Sequence, residues 1–185
     1  MGTQFPALND KLRAFIDQQK IFFTASATGS SRINVSPRST EWFRVVDDNT
    51  VLYLDRTGSG NETAAHMKAD GRMTIMFCAV EGAPRILRLY GRGEIVHRED
   101  EEYGQIVETL FDGKQPKGAR QIVRLTADMV QSSCGFAVPF FDYKGERDGL
   151  DRWGADKDDE DYRDYWRKKN MTSLDGLPTG IFEPG

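Results

Sequence analysis

Apolar and polar positions alternate through most of the first 135 residues, and two or three short stretches break into helical spacing instead. Leu8, Leu12, Phe15 and Ile16 recur at three and four, with Asn9 or Asp10 before them as a cap, so the spacing predicts a short amphipathic helix. "KIFFTASAT" is rich in β-formers, "GSS" turns the chain, and "RINVSPR" alternates again, which together read as a hairpin. "TVLYLD" is the next strand, and "ETAAHMKADG" is a short helix that Gly71 is placed to end. "RMTIMFCAV" is a strong strand, and "EGAP" turns into the long strand "RILRLYGRGEIVHR", where Gly91 and Gly93 predict a bend or bulge. "EDEEYGQIVETLFD" is a helix with its acidic residues at the favoured end, and "ARQIVRLTADMVQSSC" is the last long strand. Pro37 lacks a ladder donor, so strand pairing is expected to stop there.

This order predicts a mainly β domain with peripheral helices. About six antiparallel strands, joined mostly by hairpins and bent at glycine, favour a closed or nearly closed small barrel. After Phe140 the pattern changes. "DGLDRWGADKDDEDYRDYWRKKN" mixes dense charge with Leu150, Trp153, Tyr162, Tyr165 and Trp166, and reads as helices lying on the barrel or on a second subunit. The acidic run Asp158 to Asp161 reads as a solvated face, and "SLDGLPTGIFEPG" as an irregular tail. Residues 1–140 are therefore assigned to the barrel with its leading helix, and residues 141–185 to a C-terminal extension.

Composition narrows the function classes. The chain has 185 residues, enough for one domain with a sizeable core. With 25 Lys+Arg against 29 Asp+Glu, the net charge of −4 disfavours a general nucleic-acid binder. No apolar run has the length of a membrane span, and the N-terminal residues lack the pattern of a secretory signal, so a cytoplasmic location is expected. Cys78 and Cys134 both sit in apolar surroundings and read as reduced, packed thiols; with two histidines they give no metal-ligand spacing.

The candidate chemistry lies in "LYLDRTGSGNETAAHM". A strand running through a glycine-rich turn into a helix aims backbone N–H groups at a helix start, which suits an anion such as phosphate. Gly58 and Gly60 allow close approach, Thr57, Ser59 and Asn61 add donors, and Arg56 adds a charge. The stretch is neither a Walker loop nor a Rossmann fingerprint. "INVSPR" and "QSSCGFAVP" end two other strands in polar groups, Ser36 to Arg38 and Gln131 to Ser133. A polar ring system with a phosphate tail would use such a set. His66, in the helix beside the loop, reads as a packing or capping residue.

In order and content, "INVSPR", "VLYLDRTGSGNETAAHM", "GRMTIMFCAVEGAPRILRLYGRG", "QSSCGFAVP" and "KKNMTSLDGLP" resemble the pyridoxamine 5′-phosphate oxidase-like, FMN-binding split-barrel proteins, from about Phe22 to Pro178. The resemblance implies a six-stranded antiparallel split barrel and a homodimer with FMN between the subunits. It implies flavin contacts at Ser36, Pro37, Arg38, Leu54, Asp55, Arg56, Thr57, Ser59 and Asn61. It also implies that Gln131 and Ser132 reach the cofactor from the partner subunit, and that Trp153 or Trp166 is a candidate to shield the flavin across the dimer.

Departures from the family pattern bear on substrate. Pyridoxamine phosphate oxidases carry an Arg and a Lys bracketing apolar residues where this chain has "SPRST", and Ser-Arg-Lys where it has "SGN". A flavin-contacting Gln is replaced by Ile86, and the Arg-Leu-x-Pro ending is absent. The expectation is an FMN-dependent oxidoreductase acting on a different small-molecule substrate or electron donor, with no catalytic side chain and no metal assigned. The alternatives are a non-catalytic flavin-binding or redox-sensing protein, or a split barrel holding F420 or haem.

Overall fold

The computed structural model describes residues 2–183; Met1, Pro184 and Gly185, at the ends of the two assigned segments, lie outside the described residues. The elements run β1 (Thr3–Phe5), α1 (Asp10–Gln18), β2 (Ile21–Ser26), β3 (Asn34–Ser39), a 3-10 turn (Thr40–Trp42), β4 (Phe43–Val45) and β5 (Thr50–Arg56). They continue with α2 (Glu62–Ala69), β6 (Arg72–Cys78), β7 (Ile86–His97), α3 (Glu101–Phe111), β8 (Ala119–Ser133), α4 (Gly149–Trp153) and α5 (Asp159–Lys169).

The strands form one antiparallel sheet in the order β3-β2-β6-β7-β8-β5-β4, with β1 added to β8. This is the split-barrel class that the family resemblance implies, and the nearly closed β-barrel that the pattern favours, with eight strands where six are expected. The extra two, β1 and β4, have three residues each, too short to show an alternation. Among the described residues no helix is long and apolar enough to cross a membrane.

Local sequence accounts for most boundaries. The Asn9 side chain accepts from the Leu12 N–H and starts α1. Gly71 adopts φ +83 just past α2, a conformation that side chains disfavour. The bend in β7 is a register shift between Tyr90 and Gly91, opposite Met129 and Ala127. A Cβ at Gly91 would overlap the carbonyl oxygen of Thr126, so only glycine lets β7 and β8 approach so closely there.

One side of the curled sheet buries Phe22, Phe43, Tyr53, Ile75, Phe77, Leu87, Leu89 and Leu125 around α1. A second cluster packs α3 against the outer side of β5, β7 and β8 through Leu52, Leu54, Val96, Tyr103, Ile106 and Ile122. A third belongs to the extension: Tyr162, Trp166 and Ile181.

Three expectations need correction. Pairing does not stop at Pro37, because the β2–β3 ladder runs on through Arg38 and Ser39. β3 is an edge strand, so every second N–H faces away from its neighbour and a proline is tolerated. Cys134 is exposed rather than packed, because β8 has ended one residue earlier. The run Asp158 to Asp161 is more than a solvated face. Asp158 and Asp161 form a reciprocal capping box that starts α5, and Asp159 pairs with Arg98.

Candidate functional site

β3 and β4 are the two ends of the strand order, and the 3-10 turn Thr40–Trp42 links them directly. β4 covers β5 only from Val51 to Tyr53, which leaves Leu54, Asp55 and Arg56 facing the split. Side chains bridge it. The Arg38 guanidinium on β3 donates to the Asp55 carboxylate on β5 at 2.5 Å and lies over the Tyr53 ring at 4.8 Å.

Asp55 is buried and has three donors. Besides Arg38, Arg120 Nε and Gln121 Nε2 each donate to its second oxygen at 2.8 Å. Burial pushes its carboxyl pKa up, but the Arg120 and Arg38 charges outweigh that and hold it below the usual carboxylate range. Burial likewise opposes the Arg38 charge, and Asp55 restores it with a net rise. The Tyr53 hydroxyl, enclosed in the barrel, is pushed up to about 12 by burial.

Along the split runs a cleft of about 1170 Å³, somewhat above the range of about 300–1,000 Å³ usual for small-molecule sites. Its walls include Phe22, Phe23, Trp42, Leu54 and Val80, with Arg38, Arg56 and Gly58 also in the lining and charged residues of both signs from the segment 142–151. Residues 138–151 form an outer strap over it. The strap holds on through the Phe141 N–H to the Val80 carbonyl, the Tyr143 N–H to Glu81, and an ion pair between Arg56 and Asp151. The Nε atoms of Arg38 and Arg56 are buried without a hydrogen-bond partner.

Of the residues singled out in the sequence, Pro37, Arg38, Leu54, Arg56 and Thr57 line this cleft. Ser59 is exposed at the tip of the loop, and Ser36 bonds Asn34 on the neighbouring surface. Asp55, Thr57 and Asn61 are buried and bonded within the chain. Thr57 Oγ1 donates to the Gly118 carbonyl at 2.7 Å and accepts from Trp166 Nε1 at 2.8 Å. Asn61 Oδ1 accepts from Gln121 Nε2 at 2.8 Å. Trp166 is thus packed beneath its own chain's loop. Gln131 and Ser132 lie elsewhere: Arg56 pairs with Ala119 at the start of β8, whereas Gln131 and Ser132 are near its end, paired with Gln4 and Thr3 of β1 and with Arg88 and Leu87 of β7. A single protomer does not bring them to the cleft.

Sequence reasoning missed Arg120, Gln121 and Asn170. Arg120 and Gln121 open a strand in which both are buried among Ala119, Ile122 and Val123, and polar residues at consecutive buried positions were the available signal. His66 is buried with Nδ1 3.0 Å from the Ser26 hydroxyl, in keeping with a packing role.

The family profile of pyridoxamine 5′-phosphate oxidase matches residues 8–134, which span the sheet apart from β1, the loop and the split. The chain belongs to this family. The family protein ustO of Aspergillus flavus is 39% identical over 145 residues, covering 77% of this chain and 58% of that protein, so the chain spans little more than half of its relative. Among solved structures, HupZ of Group A Streptococcus aligns with a TM-score of 0.53 at 17% identity, over 66% of this chain and 91% of that one. HutZ, the haem storage protein of Vibrio cholerae, aligns with a TM-score of 0.50 at 18% identity, over 70% and 97%. At such identities the two structures support the shared split-barrel fold.

Proposed function

We propose that this family member is a flavoprotein that binds FMN in the cleft along the barrel split and works as an oxidoreductase on a small molecule other than pyridoxamine phosphate. The observation that carries the reading is the cleft itself, with apolar wall residues for a planar ring and the guanidinium groups of Arg38 and Arg56 in its lining. The residues fit FMN on their own terms. The unpartnered Nε atoms of Arg38 and Arg56 are donors awaiting an acceptor, and a Cβ at Gly58 would meet nothing within 4 Å, so the loop backbone is open to close approach. When bound, FMN supplies two-electron redox chemistry that side chains lack.

The chain's residues then have separable tasks. Arg56, with Ser59 and the loop N–H groups, would hold the phosphate, and a phosphate competes with Asp151 for Arg56. Trp42, Leu54 and Phe23 would exclude water from the ring. Gln131 and Ser132 would act from a second copy, consistent with their distance from the cleft in one protomer. The exposed apolar side chains Ile33, just before β3, and Val35, on it, 74% and 60% accessible, favour such a copy as their cover. The absence of a Lys in the loop and the change to "SPRST" favour a donor without its own phosphate, such as a small organic reductant.

A haem reading, prompted by HutZ, has less support. Among the described residues no histidine lines the cleft, and burial pushes the thiol of Cys78, in its wall, above its ordinary value, away from the thiolate form.

The deciding experiment is the absorbance spectrum of the purified protein followed by FMN titration. Saturable uptake near one FMN per chain, weakened about ten-fold or more in Arg56→Ala and Ser59→Leu, is the expected result. No uptake by the unaltered protein would end the flavin reading; equal uptake by both variants would end the placement at this loop.

A further inference from the structure

The glycine loop is held from outside the segment that the family profile matches. That segment ends at residue 134, yet the loop is fastened by α5 and the residues after it at three successive places. Trp166 Nε1 donates to Thr57 Oγ1 at 2.8 Å. Asn170 Nδ2 donates to the Gly58 carbonyl at 3.1 Å. The Leu174 N–H donates to the Glu62 carboxylate, at 2.9 Å to the nearer oxygen, where α2 begins.

Asn170 is itself fixed on both sides. Its Oδ1 accepts from Arg120 Nη1 at 3.0 Å, and its carbonyl accepts from Thr179 Oγ1 at 2.6 Å. Through Arg120 it joins Asp55, and Asp55 joins Gln121 and then Asn61. One buried path therefore runs from Asn170 to both ends of the loop, Gly58 and Asn61. Neither Trp166 nor Asn170 lines the cleft, and both are buried.

We infer that Trp166 and Asn170 are positioning residues: they hold residues 57–61 in the one conformation that presents Arg56, Ser59 and the loop N–H groups to an anionic ligand. The physical reason lies in the loop. Ser59 and its two neighbouring glycines have little packing of their own, so the backbone conformations open to Gly58 and Gly60 must be restricted by bonds from elsewhere. The extension supplies those bonds and, through Asp151, also the competitor for Arg56. The identity of the ligand rests on the flavin reading above; the positioning itself does not.

The test uses the full chain with Trp166→Phe, which keeps the ring and removes the N–H, and Asn170→Asp, which keeps the acceptor for Arg120 and removes the donor to Gly58. Val107→Ala, on α3 away from the loop, is the control for general loss of stability. Amide exchange at Thr57, whose N–H donates to the Gly118 carbonyl at 2.8 Å, FMN affinity and Tm are measured for each. Both loop variants should exchange about ten-fold faster at this amide and bind FMN about ten-fold more weakly, with a Tm loss no larger than that of the control. The control should keep its loop exchange and FMN affinity. Unchanged loop exchange in both variants would overturn the inference, as would equal acceleration in the control. If the unaltered protein takes up no FMN, the flavin reading fails, and the exchange data alone decide the positioning role.

Discussion

Asp55 is a carboxylate without solvent whose charge is maintained by Arg38, Arg120 and Gln121. Removing one member of such a buried set leaves the others uncompensated, so Asp55→Asn should destabilise the fold by about 3–5 kcal/mol, measured by denaturant unfolding. The pH dependence has a defined sign. The native pKa of Asp55 is lowered, so its contribution is complete above the unfolded value of about 4 and is lost as pH falls through the native value. Unfolding followed below pH 4 should therefore show a flatter pH dependence in Asp55→Asn than in the unaltered protein; parallel curves would contradict this account of the network. The residue types around the loop pointed to ligand chemistry from sequence, but their present partners did not. Thr57 meets Trp166 across 109 residues, and Asn61 meets Gln121 across 60. No local spacing encodes such pairs.

Elements were legible where their cause is local. The Asn9 cap, the Gly71 stop and the bend at Gly91 each follow from one residue type at one position. Gly91→Ala should cost about 1–3 kcal/mol, because its Cβ would overlap β8 backbone that has no slack; a neutral change would mean that the bend is dispensable. In α5 the capping box predicts that Asp158→Ala lowers stability by about 1 kcal/mol, read as a fall in Tm. That helix start matters beyond its own turn, since α5 carries Trp166 and is capped at its far end by Asn170. The edge position of β3 was not legible: a proline inside a strand is compatible with an edge or with a strand end, and only the pairing order distinguishes them.

For the whole molecule, the split between β3 and β5 is both the opening of the barrel and the candidate site, bridged by Arg38 and Asp55 and covered by an exposed strap. If a second copy covers β3 and supplies Gln131, then Val35→Asp should shift the protein to monomer in light scattering and weaken FMN binding in parallel. Gln131→Ala should weaken FMN binding while leaving the oligomer intact. A monomeric unaltered protein with full FMN affinity would remove the composite site. The strap has Phe140 at 78% accessibility and holds by few bonds, so it should be the first segment cleaved by limited proteolysis; first cleavage within the sheet would contradict that.

The sequence by itself determined the class of the fold, the order of the long strands and helices, and the location of the glycine-rich loop between β5 and α2. These depend on periodicity, glycine and capping, which act over a few residues. Only the tertiary structure decided which loop side chains face the cleft and which are engaged inside, that β3 is an edge, and that the extension fastens the loop. Those outcomes depend on which distant polar groups must satisfy one another once water is excluded. Burial imposes that requirement on the assembled molecule and on no single stretch of the chain.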